Sequence, residues 1–165
     1  MIKLQPATTK ADYECISKLA HTIWHEHYIK IISLEQIEYM LEKYNSVKSI
    51  EERVQVGVLF YCLTYNNEPV GYTAIENKSD YLYISKLYVL KTYRGKKIAK
   101  AAMFFTESMA KSQNISVIKL NVNKYNSNSM LAYEKMGFVK TASTIEDIGN
   151  GFVMDDYLME KTIPA

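Results

Sequence analysis

The sequence has few cysteines, little net charge and no long apolar run. Its 165 residues include two cysteines and carry a formal charge of +2. Cys15 and Cys62 lack metal-ligand or redox spacing, so two isolated thiols indicate a reducing, cytoplasmic setting. No run approaches the roughly 20 apolar residues that span a bilayer, and Met1–Pro6 has no signal-peptide core. Because the charge is nearly balanced, we expect no nucleic-acid partner and no membrane partner.

The apolar content predicts a folded domain. Hydrophobic residues make up 48% of the chain, which is enough for a real core in a protein of this length. The sequence shows no internal repeat, low-complexity tract or linker. We therefore expect a single domain over residues 1–165.

Hydrophobic periodicity predicts an α/β domain with a mixed, mostly antiparallel sheet of about six to seven strands flanked by helices. Thr9 with Asp12 resembles a capping box, and Ser33 with Gln36 repeats the cap signature. The predicted order is strand, two or three helices, three strands, helix, strand, helix and two strands. The predicted strands are Ile2–Leu4, Val58–Tyr65, Val70–Ile75, Tyr81–Leu90, Val117–Val122, Phe138–Ile145 and Phe152–Lys161, and the later helices are Ser49–Gln55, Lys97–Ser112 and Ser129–Met136.

A basic turn, Arg94–Lys100, follows the apolar run Leu87–Leu90. A buried strand, a basic turn and the start of a helix direct backbone N–H groups and the positive end of a helix dipole at one point. A phosphate-bearing ligand suits that point, although such turns are also often simply solvated.

A second motif covers Asn126–Phe138. Asn126 to Ser129 offer several side chains able to cap a helix, Tyr133 lies one turn beyond Ser129, and Gly137 ends the helix. By itself, the segment favours Tyr133 as a core aromatic.

Together the two motifs resemble the GNAT superfamily of acetyl-CoA-dependent N-acetyltransferases, and the element order matches over most of the chain. The cofactor loop of that family reads Gln/Arg-x-x-Gly-x-Gly/Ala, and this chain has Arg94-Gly95-Lys96-Lys97-Ile98-Ala99. Lys97 replaces the first loop glycine, which leaves the amides available but adds a Cβ. The family's later motif matches at Asn126, Tyr133, Gly137 and Phe138.

The resemblance implies a sheet that is splayed at an acetyl-CoA slot, and no metal. The strand Leu87–Val89 would pair with the pantetheine arm, and the Leu87 amide would bond the thioester carbonyl. Tyr133 would protonate the departing thiolate. The implied cofactor-binding residues are Leu87, Tyr88, Val89, Arg94, Gly95, Lys96, Lys97, Ile98, Ala99, Lys100, Asn126, Ser129 and Tyr133.

The acceptor amine must lose a proton before it attacks, because lysine-like amines have a pKa around 10. Glu76, at the end of a predicted strand, is the candidate catalytic base. Tyr83 or an ordered water could serve instead, and Glu76 could equally be a solvated carboxylate. Tyr28, Tyr83 and Glu146 are the candidate substrate-binding residues.

The C-terminal segment 146–161 resembles the bacterial spermidine/spermine N-acetyltransferase branch. A polycation favours a cleft with several carboxylates, here Glu76, Glu146, Asp147 and one of Asp155 and Asp156, which alternate between strand faces. A small polyamine is therefore the favoured acceptor. The alternatives are a protein N-terminus or lysine, and a non-catalytic CoA-binding module. A homodimer is a possible assembly.

The segment His25-Glu26-His27 is not a metal motif. Its spacing differs from that of zinc proteases, and residues two apart on a helix point in different directions. Trp24 is expected in the core.

Overall fold

The computed structural model describes residues 1–164 and contains a seven-stranded mixed sheet, as predicted. The strand order is β1-β2-β3-β4-β5-β7-β6. β4 and β5 pair in parallel, whereas β1–β2, β2–β3, β5–β7 and β7–β6 are antiparallel. The strands are β1 Ile2–Pro6, β2 Leu59–Tyr65, β3 Glu68–Asn77, β4 Leu82–Val89, β5 Val117–Asn123, β6 Val139–Gly149 and β7 Phe152–Thr162; the helices are α1 Lys10–Tyr28, α2 Leu34–Asn45, α3 Val47–Gln55, α4 Ile98–Ser112 and α5 Ser127–Lys135.

Local sequence signals fix the helix starts. Thr9 accepts the Asp12 N–H while the Asp12 carboxylate accepts the Thr9 N–H, so the predicted capping box is present. The Ser33 hydroxyl accepts the Gln36 N–H. Helix α3 begins at Val47 rather than at Ser49, because Ser46 caps it by accepting the Ser49 N–H.

The chain divides into two compact units. Unit 1 comprises Met1–Glu76 and Lys86–Phe105, and unit 2 comprises Asn77–Ser85 and Thr106–Ala165. Strand β4 and helix α4 therefore each contribute residues to both.

Helices cover both faces of the sheet in unit 1. On one face, Leu63, Val70 and Val89 pack with Ile98 and Ala102 of α4. On the opposite face, the indole of Trp24 in α1 bonds the hydroxyl of Tyr72 in β3. We call this second face the α1 face.

The two cysteines, which are distant in the sequence, are neighbours in the fold. Cys15 on α1 and Cys62 on β2 are both free thiols, and their side chains hydrogen-bond within unit 1. Burial is the main cause that raises the pKa of Cys62 to about 12. Sequence spacing alone could not reveal a contact between a helix and a strand.

In unit 2, strands β6 and β7 form a long hairpin that extends β6 beyond its predicted end. The turn residues Gly149, Asn150 and Gly151 all have positive φ, at 93°, 54° and 81°. Side chains alternate between the two faces of β7, so Asp155 and Asp156 point to opposite faces, as predicted. Asp155 pairs with Lys124, whereas Asp156 is buried beside Asn121.

Candidate active site

The basic turn of unit 1 is a folded loop that α1 holds in place. After β4 the chain makes a short 3₁₀ turn over Lys91–Tyr93. The Glu26 carboxylate accepts the Lys91 N–H at 3.1 Å, and the Arg94 guanidinium lies 3.3 Å from His27 Nδ1. The two α1 residues therefore anchor the start of the loop, and Arg94 is engaged with His27.

Lys97 adopts the backbone conformation that a glycine would adopt. Its φ is +65°, in the left-handed region, and Gly95 two residues earlier has a φ of +80°. A lysine in this region costs about 1–2 kcal/mol relative to the right-handed form. The departure from the family pattern therefore changes the side chain and keeps a glycine-like backbone.

Helix α4 begins directly after this turn and presents unsatisfied donors. Its first internal hydrogen bond runs from the Ala101 N–H to the Lys97 carbonyl at 3.0 Å. The N–H groups of Ile98, Ala99 and Lys100 consequently lie outside the helix's own bonding. With the exposed Lys96 and Lys97 nearby in sequence, this helix start is suited to bind an anion.

Strand β4 presents amide groups away from β3. The Lys86 carbonyl accepts the Thr73 hydroxyl at 2.7 Å, so the trans peptide that follows points the Leu87 N–H to the opposite edge. The Tyr88 carbonyl faces Gly71, where an added Cβ would lie only 2.3 Å from that oxygen. The Val89 N–H is directed away from β3 for the same reason.

A polar and aromatic cluster covers the α1 face of unit 1. The Trp24 indole donates to the Tyr72 hydroxyl at 3.1 Å, and that hydroxyl donates to Asn45 Oδ1 at 3.0 Å. The hydroxyls of Tyr28 and Tyr88 lie 3.4 Å apart. Trp24 is a core residue, as expected, and Tyr28 is buried rather than lining an open surface.

Lys86 is the functional candidate that sequence reasoning missed. It is 7% exposed on β4, and its Nζ lies 5.7 Å from the centroid of the Tyr44 ring. Burial, with a smaller contribution from the Arg53 guanidinium, lowers the pKa of Lys86 to about 7, and the Glu76 carboxylate opposes the shift. Glu76 itself is half-buried at the end of β3.

In unit 2, Tyr133 is half-buried near the end of α5. Its ring makes an edge contact with Phe138 at 5.8 Å, and its carbonyl accepts the Phe138 N–H. Gly137 ends the helix with a φ of +99°, as expected. Tyr133 is therefore not the fully buried core aromatic that this segment alone favoured.

The helix start in unit 2 differs from the expectation. Asn126 occupies the N-cap of α5 and is buried, but its side chain makes no capping hydrogen bond. Helix α5 begins at Ser127, which leaves Ser129 half-buried in the first turn. The Asn126 carbonyl accepts the first hydrogen bond of the helix, from the Met130 N–H.

A buried acid in unit 2 ends a chain of polar contacts. The Tyr83 hydroxyl donates to Asn121 Oδ1 at 2.8 Å, and Asn121 Nδ2 lies 3.5 Å from Asp156 Oδ2. Burial is the main cause that raises the pKa of Asp156 to about 6, and Asp155 and Glu146 add repulsion.

The other candidate acids of the C-terminal segment are placed differently. Glu146 is exposed on β6. Asp147 accepts the Gly149 N–H in the hairpin turn, and Asp155 pairs with Lys124 at 2.7 Å. Glu146 and Asp156 are therefore the acids of this group that neither the turn nor an ion pair engages directly.

His25 and His27 of α1 have different neighbours. His25 Nδ1 lies 2.7 Å from the His21 carbonyl, whereas His27 approaches Arg94. Within residues 1–164, no three metal-type side chains are grouped to hold an ion. Over the same residues, no helix is long and apolar enough to cross a bilayer.

A family model described as an acetyltransferase (GNAT) domain matches residues 29–161. The chain belongs to the GNAT acetyltransferase family. This GNAT protein is accordingly an acetyl-CoA-dependent N-acetyltransferase.

Solved structures show the same fold at low identity. The PaiA N-acetyltransferase from Thermoplasma acidophilum, solved with coenzyme A, is 24% identical with a TM-score of 0.80, over 98% of this chain and 99% of that one. A GCN5-related N-acetyltransferase from Rhodopseudomonas palustris is 20% identical with a TM-score of 0.81, over 98% and 95%. The ribosomal-protein-S18-alanine N-acetyltransferase from Escherichia coli is 15% identical with a TM-score of 0.72, over 100% and 96%.

Proposed function

We propose that residues 1–165 form one N-acetyltransferase domain that transfers acetyl from acetyl-CoA to a primary amine by direct attack. The observation that carries this proposal is the loop before α4. Lys97 keeps the left-handed backbone there, and the N–H groups of Ile98, Ala99 and Lys100 remain open to a ligand. The chain's own fold therefore fits the diphosphate of the donor.

The donor would be held by backbone and by charge. The amides of the loop, that of Lys97 included, and of the first turn of α4 would bind the diphosphate, with Lys96 and Lys100 supplying positive charge. The pantetheine arm would pair with the edge of β4 at Leu87 and Val89, whose N–H groups point away from β3. In this proposal, the Leu87 N–H stabilises the charge that develops on the thioester oxygen.

Three groups would handle protons and the acceptor. Glu76, half-buried at the end of β3, takes the proton of the acceptor ammonium; Tyr83 and an ordered water are the alternatives. The free amine attacks the thioester carbon, and the tetrahedral intermediate collapses with loss of the thiolate. Tyr133 donates its phenolic proton to that thiolate, since a phenol near pKa 10 is protonated at neutral pH.

A small polyamine is the proposed acceptor. Support comes from unit 2, where Glu146 and Asp155 repel Asp156 and help to raise its pKa. A polycation near these carboxylates would relieve that repulsion. Tyr28, buried in the α1 cluster, would then act on the acceptor through Tyr88 rather than by direct contact.

A homodimer is the proposed assembly. The sheet-edge strand β6 exposes the apolar side chains of Val139 and Ile145. Light scattering of the purified protein tests this proposal separately from activity.

The deciding experiment measures thiol release from acetyl-CoA with a panel of amines at equal concentration. The panel comprises spermidine, a monoamine of similar length, lysine and a peptide with a free N-terminus. We expect acetylated spermidine as the main product by mass spectrometry. In the variants E146Q and D156N, we expect a higher KM for spermidine and an unchanged KM for the monoamine.

Two results would overturn parts of the proposal. Preferential acetylation of the peptide would replace the polyamine by a protein acceptor. Measurable CoA binding without turnover above hydrolysis, for every amine, would indicate a non-catalytic CoA-binding module.

A further inference from the structure

Lys86 is a buried cation site without a counter-ion. Its side chain is 7% exposed, and among residues 1–164 no carboxylate forms an ion pair with its Nζ. An ammonium in such surroundings loses hydration without gaining a carboxylate partner. The neutral amine, which carries a lone pair, is the form that this environment favours.

The groups that face Lys86 act on its charge in opposite directions: the Arg53 guanidinium favours the neutral amine, whereas the Tyr44 ring face and the Glu76 carboxylate favour the ammonium. Tyr44 of α2 places its ring 5.7 Å from Nζ, and the Arg53 guanidinium of α3 lies 5.4 Å from the same ring. The ring is shared with Lys43, so cations approach it from α2, α3 and β4. Glu76 of β3 is the acid whose carboxylate opposes the lowering of the Lys86 pKa, and burial and Arg53 together outweigh it.

The position of Lys86 connects it to the proposed chemistry. It directly precedes Leu87, whose amide is proposed to hold the thioester oxygen, and its side chain lies on the α1 face. Tyr72 lies on that face, because it contacts Trp24 and Tyr88 there. Every second residue of a strand points to the same face, so Ala74 and Glu76 lie on the α1 face as well. Lys86 and Glu76 therefore share one face of neighbouring strands.

We propose that the Lys86 amine is the final acceptor of the proton that the substrate ammonium loses to Glu76. The inference rests on the proposed function. In the first step the ammonium N–H bond breaks and the Glu76 carboxylate becomes a carboxyl group. In the second step that proton moves to the lone pair of Lys86 Nζ, which regenerates the carboxylate and forms an ammonium. Lys86 thus acts through Glu76 as a positioning residue for proton uptake.

The kinetic test uses two variants with different chemistry. Lys86→Arg keeps a cation that does not deprotonate, and Lys86→Met keeps the side-chain length without charge or basicity. For the wild type we expect the pH profile of kcat/KM to rise with an apparent pKa near 7, matching the lowered pKa of Lys86. In both variants we expect the apparent pKa of that rise to increase by at least two units. At pH 7.5, kcat/KM should be at least tenfold lower than in the wild type, and it should recover near pH 10.

Lys43→Met is the matched control, since Lys43 contacts the same Tyr44 ring from the exposed side. Its pH profile should equal that of the wild type. If the folded Lys86→Met and Lys86→Arg proteins still show an apparent pKa near 7 in the pH profile of kcat/KM, the proposal is wrong.

A second measurement does not require activity. The rate at which acetic anhydride acylates Lys86, followed by mass spectrometry against pH, reports the titration of that amine in the folded protein. We expect half-maximal reactivity near pH 7, and a shift to lower pH in Glu76→Gln because an opposing charge is removed. Titration near pH 10 would overturn the inference even if no acceptor amine is found, whereas failure of the amine panel alone concerns only the proposed function.

Discussion

Among residues 1–164, unit 1 buries one lysine, Lys86, and unit 2 buries one aspartate, Asp156, so the two units bury side chains of opposite charge. In unit 1, burial lowers the pKa of Lys86 to about 7; in unit 2, burial raises the pKa of Asp156 to about 6. Lys86 meets a second cation, Arg53, whereas Asp156 receives the Asn121 amide. Burial is thus the main cause in both units, and local partners decide how far each shift goes.

The two shifts act on stability in different pH windows. Lys86 has a lower pKa folded than unfolded, so the unfolded state binds more protons and stability rises between about pH 7 and 10.5. Asp156 has a raised pKa, so stability falls as the pH rises from about 3.8 to 6. Between pH 6 and 7 both groups are largely ionised, and both penalties apply together.

In the proposed function, unit 1 accepts a proton through Glu76 and unit 2 donates one through Tyr133, and Tyr133→Phe tests the second role. We expect kcat to fall about 10²-fold, the scale of general-acid catalysis, with CoA affinity little changed. Steady-state kinetics and CoA titration measure the two effects. Tyr125→Phe, an exposed tyrosine of the same unit, is the control. Unchanged turnover in Tyr133→Phe would show that this hydroxyl is not the acid.

The next largest effect is expected for Lys86→Met on stability. Because it removes a buried amine that is charged below pH 7, the variant should be more stable than the wild type at pH 6. Its gain should shrink toward pH 10, where the wild-type amine is neutral. Thermal unfolding at several pH values measures this, with Lys43→Met as control. A gain that is constant with pH would contradict the pKa of Lys86.

Asp156→Asn should give a smaller effect with the opposite pH dependence. Its pKa shift is smaller, and Asn can still bond Asn121, so we expect a stability gain above pH 6 that vanishes near pH 4. The same unfolding series measures it, with the exposed Asp80→Asn as control. If the variant is less stable than the wild type at pH 7, burial of the charged Asp156 carboxylate does not destabilise unit 2, unlike burial of the Lys86 ammonium in unit 1.

The smallest effect is expected for Lys97→Gly. In unit 1 a lysine, Lys97, occupies a position with positive φ, whereas in unit 2 a glycine, Gly137, occupies such a position at the end of α5. Glycine removes a strain of about 1–2 kcal/mol but adds unfolded-state entropy worth about 0.4–1 kcal/mol, so we expect a net gain of at most about 1.6 kcal/mol in the free energy of unfolding. Calorimetry of CoA binding should show equal or tighter affinity. Weaker binding would instead show that the lysine side chain holds phosphate.

Local signals in the sequence predicted much of the fold. The cap at Thr9, the glycine at position 137 and the alternation of Asp155 and Asp156 depend on neighbours in the chain, so sequence spacing revealed them. The loop before α4 was likewise identified from its residues, although the left-handed φ of Lys97 was not predicted.

What escaped prediction depends on long-range packing. Period two places Lys86 on one face of β4 but cannot show that Tyr44 of α2 lies against it and Arg53 of α3 against the same ring. A lysine between apolar strand residues is ordinarily expected at the surface. The contact between Cys15 and Cys62 escaped for the same reason, since α1 and β2 meet only in the folded unit.

Gly71 has a practical consequence for mutagenesis. Its Cα approaches the Tyr88 carbonyl so closely that a single methyl would overlap that oxygen. Alanine, usually the mildest replacement, is therefore a severe one at this position, and larger residues only add to the overlap. In an alanine scan, loss of activity at Gly71 should therefore not be interpreted as loss of a side-chain contact. The added methyl group would displace β4, the strand that carries Leu87 and Lys86.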